Sequence, residues 1–459
     1  MQPPVPTRGP LPPSGPPSPP VVPPGPPGPV PPGPAPPGPA PPGPAPPGPA
    51  PPGPVPPGPV PPGPVPPGPV TRRFTTVRPS NRYRELVCTV NRFATTWAVY
   101  PPDGLCHYLY YGLVFVVEEQ VRATTSPVSY DAFLSVARSY NVTGAGIAFH
   151  TRYTNAETVT GNVSAEMNIA THLKLLRMNY RVVHYGFINV IARMKAMQPL
   201  VNKVLKVLKI LKDYQKSFET EEPFDDYVGK TILGLGLFRY NEINAWRQYK
   251  ELLQKLTTYD YVNTVIALTT TVTLEDFGNC KTVPPDVLRT KDRAYAELIR
   301  HGELMKESSP DIGPDAIFGL SLEMGAAFYY LQRSYDTLQM TTYASPCEYR
   351  GFTNLDSTCE EGDIYRLPQS SNVAFGSTIY KLRRPDAPRS YVYFWESKVT
   401  LFEKLDFLEA LPMRQRFSWL YLDVNLADFT GQCTESPWQN IQEFKTAFDM
   451  GSTPEEGSS

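Results

Sequence analysis

No acidic residue precedes Glu85, no two cysteines form a C-x-x-C pair, and only five histidines are scattered over 459 residues. Without paired cysteines or clustered histidines, a structural zinc site has no ligand set to draw on. Apolar runs are short. The best, Tyr108 to Val117, is about half of the roughly 20 residues that cross a bilayer, so no transmembrane segment is expected. No G-x-S-x-G elbow, phosphate-binding loop or dinucleotide fingerprint occurs, which removes support for hydrolases of that type, kinases and dehydrogenases. A net charge of −1 gives no footprint of a nucleic-acid partner. No cofactor is implied. The start, Met1-Gln2-Pro3-Pro4, shows no signal peptide, and we expect the true N-terminus to lie further upstream.

Proline is abundant instead: 56 residues, concentrated at the front. From Gly28 to about Val70 glycine recurs every fifth residue, in Gly-Pro-Ala-Pro-Pro and then Gly-Pro-Val-Pro-Pro units. Collagen needs glycine at every third position, because only glycine fits its crowded axis, so a triple helix is excluded here. Prolines fix φ and remove donors, so residues 1–70 are expected to be a polyproline II stalk interrupted by flexible glycines. At about 3.1 Å per residue the repeat could reach roughly 130 Å. A spacer is the leading reading; a ligand for aromatic-lined grooves is the other. Residues 71–84 form a basic junction, with Arg72, Arg73, Arg78, Arg82 and Arg84. It reads as a solvated linker, or as a weak contact to an acidic glycan or membrane surface.

After Tyr83 the pattern changes. Short apolar runs alternate with longer amphipathic stretches, as parallel strands alternate with covering helices. The runs are Leu86–Val90, Tyr108–Val117, Gly144–Phe149, Val182–Val190, Thr231–Phe238, Tyr261–Thr271, Ile317–Glu323 and Phe417–Asp423. Eight such strands suit a closed (β/α)8 TIM-type barrel, although spacing alone also fits an open, doubly wound sheet. Helices are expected at Tyr130–Tyr140, Ala165–Met178, Pro199–Lys216, Ile243–Leu256 and Ser397–Leu411. Residues 451–459 read as a disordered tail. Six cysteines are compatible with three disulfides, and sequons at Asn141 and Asn162 point the same way, to an oxidising extracellular setting.

Two stretches carry a resemblance. Val87-Cys88-Thr89-Val90-Asn91-Arg92-Phe93 through Leu105-Cys106-His107-Tyr108 resembles the opening of family 18 glycoside hydrolases. Leu420-Tyr421-Leu422-Asp423 through Phe429-Thr430-Gly431-Gln432-Cys433 resembles their last strand and the segment after it. The match spans roughly residues 85–450, with specific motifs only at the two ends, and the chain is similar to the degenerate chitinase-like chains of arachnids such as ticks. The resemblance implies a Cys88–Cys106 disulfide and, within 324–395, a small inserted α+β subdomain between strands seven and eight.

The same resemblance exposes losses. Family 18 catalysis implies a D-x-x-D-x-D-x-E motif on strand four, where a Glu protonates the leaving oxygen; Val183-His184-Tyr185-Gly186-Phe187-Ile188-Asn189-Val190 has no carboxylate. The Met-x-Tyr-Asp of strand six is absent from Asn263–Thr270, and the strand-eight Trp falls at or near Leu422. A secreted, non-catalytic protein binding chitin, another glycan or a protein partner is therefore expected. Tyr185, Trp246, Glu323, Tyr329, Tyr330 and Trp395 are the candidate sugar contacts. The competing readings are an active glycoside hydrolase using Glu323 and Asp423, and a structural extracellular component.

Overall fold

The computed structural model describes residues 84–450, apart from 124–126, 162–167, 222–227, 271–279, 291–294, 309–315, 333–343, 357–364, 367–369, 373–376, 384–390 and 410–416. The stalk, the junction up to residue 83, the sequon at Asn162 and the tail from residue 451 lie outside the described residues.

Strands β1 (Arg84–Val90), β2 (Tyr108–Val117), β3 (Gln120–Ala123), β4 (Gly144–Phe149), β5 (Val182–Ala192), β6 (Thr231–Leu237), β7 (Thr264–Ala267) and β8 (Ile317–Glu323) come first in the chain. After them come β9 (Ala326–Leu331), β10 (Cys347–Thr353), β11 (Tyr365–Arg366), β12 (Ser370–Asn372), β13 (Ser377–Arg383), β14 (Tyr391–Trp395) and β15 (Phe417–Leu422). Eight of them run parallel and close a barrel in the order β1-β2-β4-β5-β6-β7-β8-β15, with β15 returning to β1. Strands this apolar are stable only when covered on both faces, and every residue of β4 and β6 is buried. Helices at Pro127–Ser139, Ile169–Tyr180, Met194–Glu221, Ala245–Leu256, Leu298–Ser308, Lys398–Glu409 and Gln439–Met450 form the outer layer. The fold is a (β/α)8 barrel.

Side chains alternate across each strand. Val87, Tyr108, Tyr110, Ala148, Ile188, Ile232, Ile266 and Leu420 fill the interior, while Phe149, Phe187, Leu233 and Trp419 pack outwards under the helices. The interior admits two tyrosines from β2 because β4 offers glycine beside them. A Cβ on Gly146 would lie 2.5 Å from the Tyr110 ring, and one on Gly144 2.5 Å from the His184 ring. At the same end of the barrel Lys230 pairs with buried Glu85, and its ammonium lies 4.7 Å from the Tyr108 ring centre.

Between β8 and β15 the chain builds a second, six-stranded antiparallel sheet, ordered β10-β9-β14-β13-β11 with β12 on β13. Cys88 is bonded to Cys106, and Cys280 to Cys347, the latter tying the connection after β7 to the inserted sheet. Cys433 is also disulfide-bonded. Among the described residues no helix is long and apolar enough to cross a membrane.

Three local expectations change. The helix expected from Pro199 begins five residues earlier, at Met194, because Met-Lys-Ala-Met-Gln is itself a good helix former. On that helix Lys212 is buried and donates to the Gly229 carbonyl at 2.6 Å. The run Tyr261–Thr271 contributes only four residues of strand, and the hairpin strand β3 was not anticipated.

Candidate functional site

In barrels of this kind the loops after the strands gather at the C-terminal mouth, where function is concentrated. On β5 the inward positions are His184, Gly186 and Ile188; a bulge between Phe187 and Val190 then turns Asn189 to solvent. None is a carboxyl group. His184 sits deep in the barrel. Its Nδ1 accepts the Lys230 peptide N–H at 3.0 Å, and its ring meets Tyr108 edge-on at 4.9 Å. Burial, aided by Lys230 and Lys212, pushes its pKa down to about 3, so it is a neutral packing group.

Carboxyls do gather on the other side of the mouth. Glu323 ends β8, Asp423 follows β15, and Asp286 reaches in from the connection after β7. Asp286 is fully buried; it accepts the Thr270 hydroxyl at 3.0 Å and the Glu323 peptide N–H at 2.6 Å. Burial first, and then Glu396, raises its pKa to about 7. Glu323 is 2% exposed; burial, then Asp423 and Asp286, hold its carboxyl well above the usual range. Asp423 is half-buried in a left-handed conformation with φ 52°, and burial raises its pKa against the opposing hydrogen bonds of Asn91 and Thr89. Buried Lys404 pairs with Glu396 and donates to the Asp286 carbonyl at 3.3 Å. Perturbed, crowded acids in a barrel mouth are what a functional site requires, and also what a buried polar joint between the barrel and its insertion requires.

The aromatic candidates are scattered. Tyr185 is a correction: at 1% exposure it points outwards from β5, because alternation sends it under the helices beside Phe149. Tyr329 and Trp395 are also corrected, both being buried in the inserted sheet, where the Tyr329 hydroxyl donates to the Val283 carbonyl at 2.7 Å. Tyr330 is half-buried in that sheet and shares a hydroxyl–hydroxyl bond with Tyr391. Trp246 lies on the outer helix Ala245–Leu256, with the Arg300 guanidinium 4.0 Å above it. Of the six, Glu323 ends a barrel strand at the mouth. Asn141 is exposed just before β4.

The exposed aromatics at the mouth are different residues. Phe93 and Trp97 follow β1 with 59% and 57% exposure, and Tyr153 follows β4 with 51%. Phe115, near the end of β2, lies 5.9 Å from Tyr153, and His150 lies 4.9 Å from it. Phe93 and Tyr153 lie close behind the ends of β1 and β4, but their exposure was not readable from the sequence.

A closed parallel barrel carrying an antiparallel sheet between its seventh and eighth strands is the fold of the chitinases. Two neighbours are a family GH18 chitinase from Cycas revoluta in complex with allosamidin (11% identity, TM-score 0.52, 79% of this chain and 99% of that one) and a group IV chitinase from Ostrinia furnacalis (12%, 0.54, 80% and 100%). A third is human YKL-39, described as a pseudo-chitinase with retained chitooligosaccharide binding properties (13%, 0.55, 80% and 99%). No family model and no curated protein matches the sequence.

Proposed function

We propose that this is a secreted, non-catalytic chitinase-like protein that holds a glycan at the C-terminal mouth of its barrel, with the Pro/Gly tract as a spacer. The observation that carries the reading is the inward face of β5, which presents His184, Gly186 and Ile188 where family 18 chemistry needs acids. A filled interior leaves the rim for binding, and the exposed rings of Phe93, Trp97 and Tyr153 are suited to stacking on sugars. Two disulfides support an extracellular setting.

A second reading has its own support. Glu323 and Asp423 interact at the mouth, and a buried acid held protonated is what a general acid needs. Such a hydrolase also needs room for substrate between two carboxyls roughly 5–10 Å apart. Glu323, at 2% exposure, offers little access.

One experiment separates the readings: binding of the full chain to chitin and soluble chitooligosaccharides, with reducing ends followed in the same tubes. Retention without turnover, weakened by Trp97→Ala, is the expected result. Turnover abolished by Glu323→Gln or Asp423→Asn overturns it, and neither binding nor turnover moves the protein to a protein-binding or structural role.

A further inference from the structure

The turn before β4 carries Asn141-Val142-Thr143, an acceptor triplet for N-linked sugar, at the floor of the barrel opposite the mouth. Asn141 is exposed, Val142 is 66% exposed and Thr143 is buried. The peptide N–H groups of all three donate to one carboxylate, that of Asp103 in the loop before β2, at 2.7–3.2 Å. The Thr143 hydroxyl accepts the Gly104 N–H at 2.8 Å and donates to the Cys106 carbonyl at 2.9 Å. Cys106 is itself held by its disulfide to Cys88. The triplet is thus clamped by a segment that precedes it by 37 to 40 residues.

Asn141 also lines a groove of about 410 Å³, together with Arg138, Met178, Asn179, Tyr180 and Arg181. That volume falls in the roughly 300–1,000 Å³ of small-ligand sites. The two segments that form the groove are tied together, since the Arg181 guanidinium donates to the Tyr140 carbonyl at 2.7 Å. Met178 presents an apolar side chain there at 55% exposure. Apolar surface within reach of an acceptor asparagine is surface that an attached sugar covers.

We infer that Asn141 carries an N-linked glycan, attached before the Asp103 clamp closes, whose first N-acetylglucosamine lies in the groove over Met178. The inference rests on the secreted reading above and adds a covalent modification at the end of the barrel away from the mouth. In the transfer, the Asn141 amide nitrogen bonds to the anomeric carbon of a polyprenyl-diphosphate-linked oligosaccharide. That carbon's bond to the diphosphate oxygen breaks, the diphosphate leaves with the electron pair, and the amide gives one proton to a base of the transferase. Only a triplet ending in Ser or Thr serves, so the transferase has to reach that hydroxyl. In the folded chain Thr143 is enclosed and its hydroxyl already donates and accepts, which makes the folded triplet a closed acceptor. Asp103 to Cys106 emerge from the ribosome first, so closure of the clamp competes with transfer as soon as Asn141 arrives.

The test starts from the full chain, produced in cultured animal cells behind a cleavable secretory leader. The mass of the peptide holding residue 141 is measured before and after treatment with peptide-N-glycosidase. The expected result is one glycan on Asn141, absent from Asn141→Gln. An unmodified Asn141 overturns the inference; because the leader supplies the route, that outcome leaves the secreted reading untouched. Timing is read by offering the unglycosylated full chain, either folded or reduced and unfolded, to microsomal transferase with its lipid-linked sugar. The unfolded chain alone should accept, and equal transfer to both overturns early attachment. The groove contact is read from the rate at which the glycosidase releases the sugar from the folded protein. Met178→Ser, which removes the apolar surface under the sugar, should speed release about tenfold. An unchanged rate overturns the contact.

Discussion

The barrel buries charge at both ends, and the two ends handle it differently. At the floor, Glu85 meets Lys230, the Lys230 ammonium faces the Tyr108 ring, and His184 is neutral with Nδ1 occupied. Buried Lys212 is held there by the neutral oxygens of the Gly229 carbonyl and the Asn263 amide. At the mouth, Asp286, Glu323, Asp423 and Glu396 are crowded together, and buried Lys404 serves Glu396 and Asp286. Balanced charge serves packing. Surplus charge of one sign, kept in place by burial and hydrogen bonds, is the mark of a site or of a joint that can change state.

The largest effect should come from removing the buried lysine of the mouth. Lys404→Met leaves Glu396 buried with the Thr400 hydroxyl but without its counter-ion, and should cost about 3–5 kcal/mol in urea unfolding. A loss below about 1 kcal/mol would mean that the acids are already largely protonated and the contrast with the floor is weaker than drawn. Next comes Gly146→Ala at the floor, expected to cost about 1–3 kcal/mol because the new methyl group meets the Tyr110 ring.

The pH dependence should set the two ends against each other. Asp286 is raised from 3.8 to about 7, so the folded state holds a proton that the unfolded state has lost. Its contribution is fully present below about pH 4 and disappears as the pH rises through about 7. His184 is lowered from 6.5 to about 3, so there the unfolded state binds the extra proton, and stability falls as the pH drops from 6.5 towards 3. Denaturation midpoints across this range should lose their alkaline fall in Asp286→Asn and their acid fall in His184→Gln. If both variants keep the wild-type profile, neither group controls it. The smallest effect belongs to the β2–β3 turn, where Glu118 and Glu119 both adopt positive φ, 50° and 60°. Replacing them with Asn-Gly, which favours that turn, should raise stability by up to about 1 kcal/mol and shift the melting temperature by a few degrees.

That turn also explains a limit of the sequence. β2, β4 and β8 match the expected runs residue for residue, because strands buried on both faces appear as unbroken apolar segments. β3 was invisible because Glu-Glu carries no turn signal. At the site, the absence of acids from β5 could be read directly, since a missing residue type needs no coordinates. Glu323 and Asp423 were also readable as strand-end acids. Asp286 was not, because it arrives on a long connection with no motif. Tyr185, Tyr329 and Trp395 misled because residue type says nothing about which face of a strand a ring occupies. Phe93, Trp97 and Tyr153 became candidates only once exposure was known.

The two glycines of β4 have a consequence for how this chain can diverge. Residues 144 and 146 are small because Tyr108, Tyr110 and His184 occupy the volume where their side chains would be. Neither partner can change size alone without a clash or a void. Descendants can therefore repack this end of the barrel only through paired replacements, the ring shrinking before the glycine grows. Exposed rim residues such as Phe93 and Trp97 are not packed into the barrel in this way and can change one at a time, so the rim can drift while the barrel beneath it stays fixed.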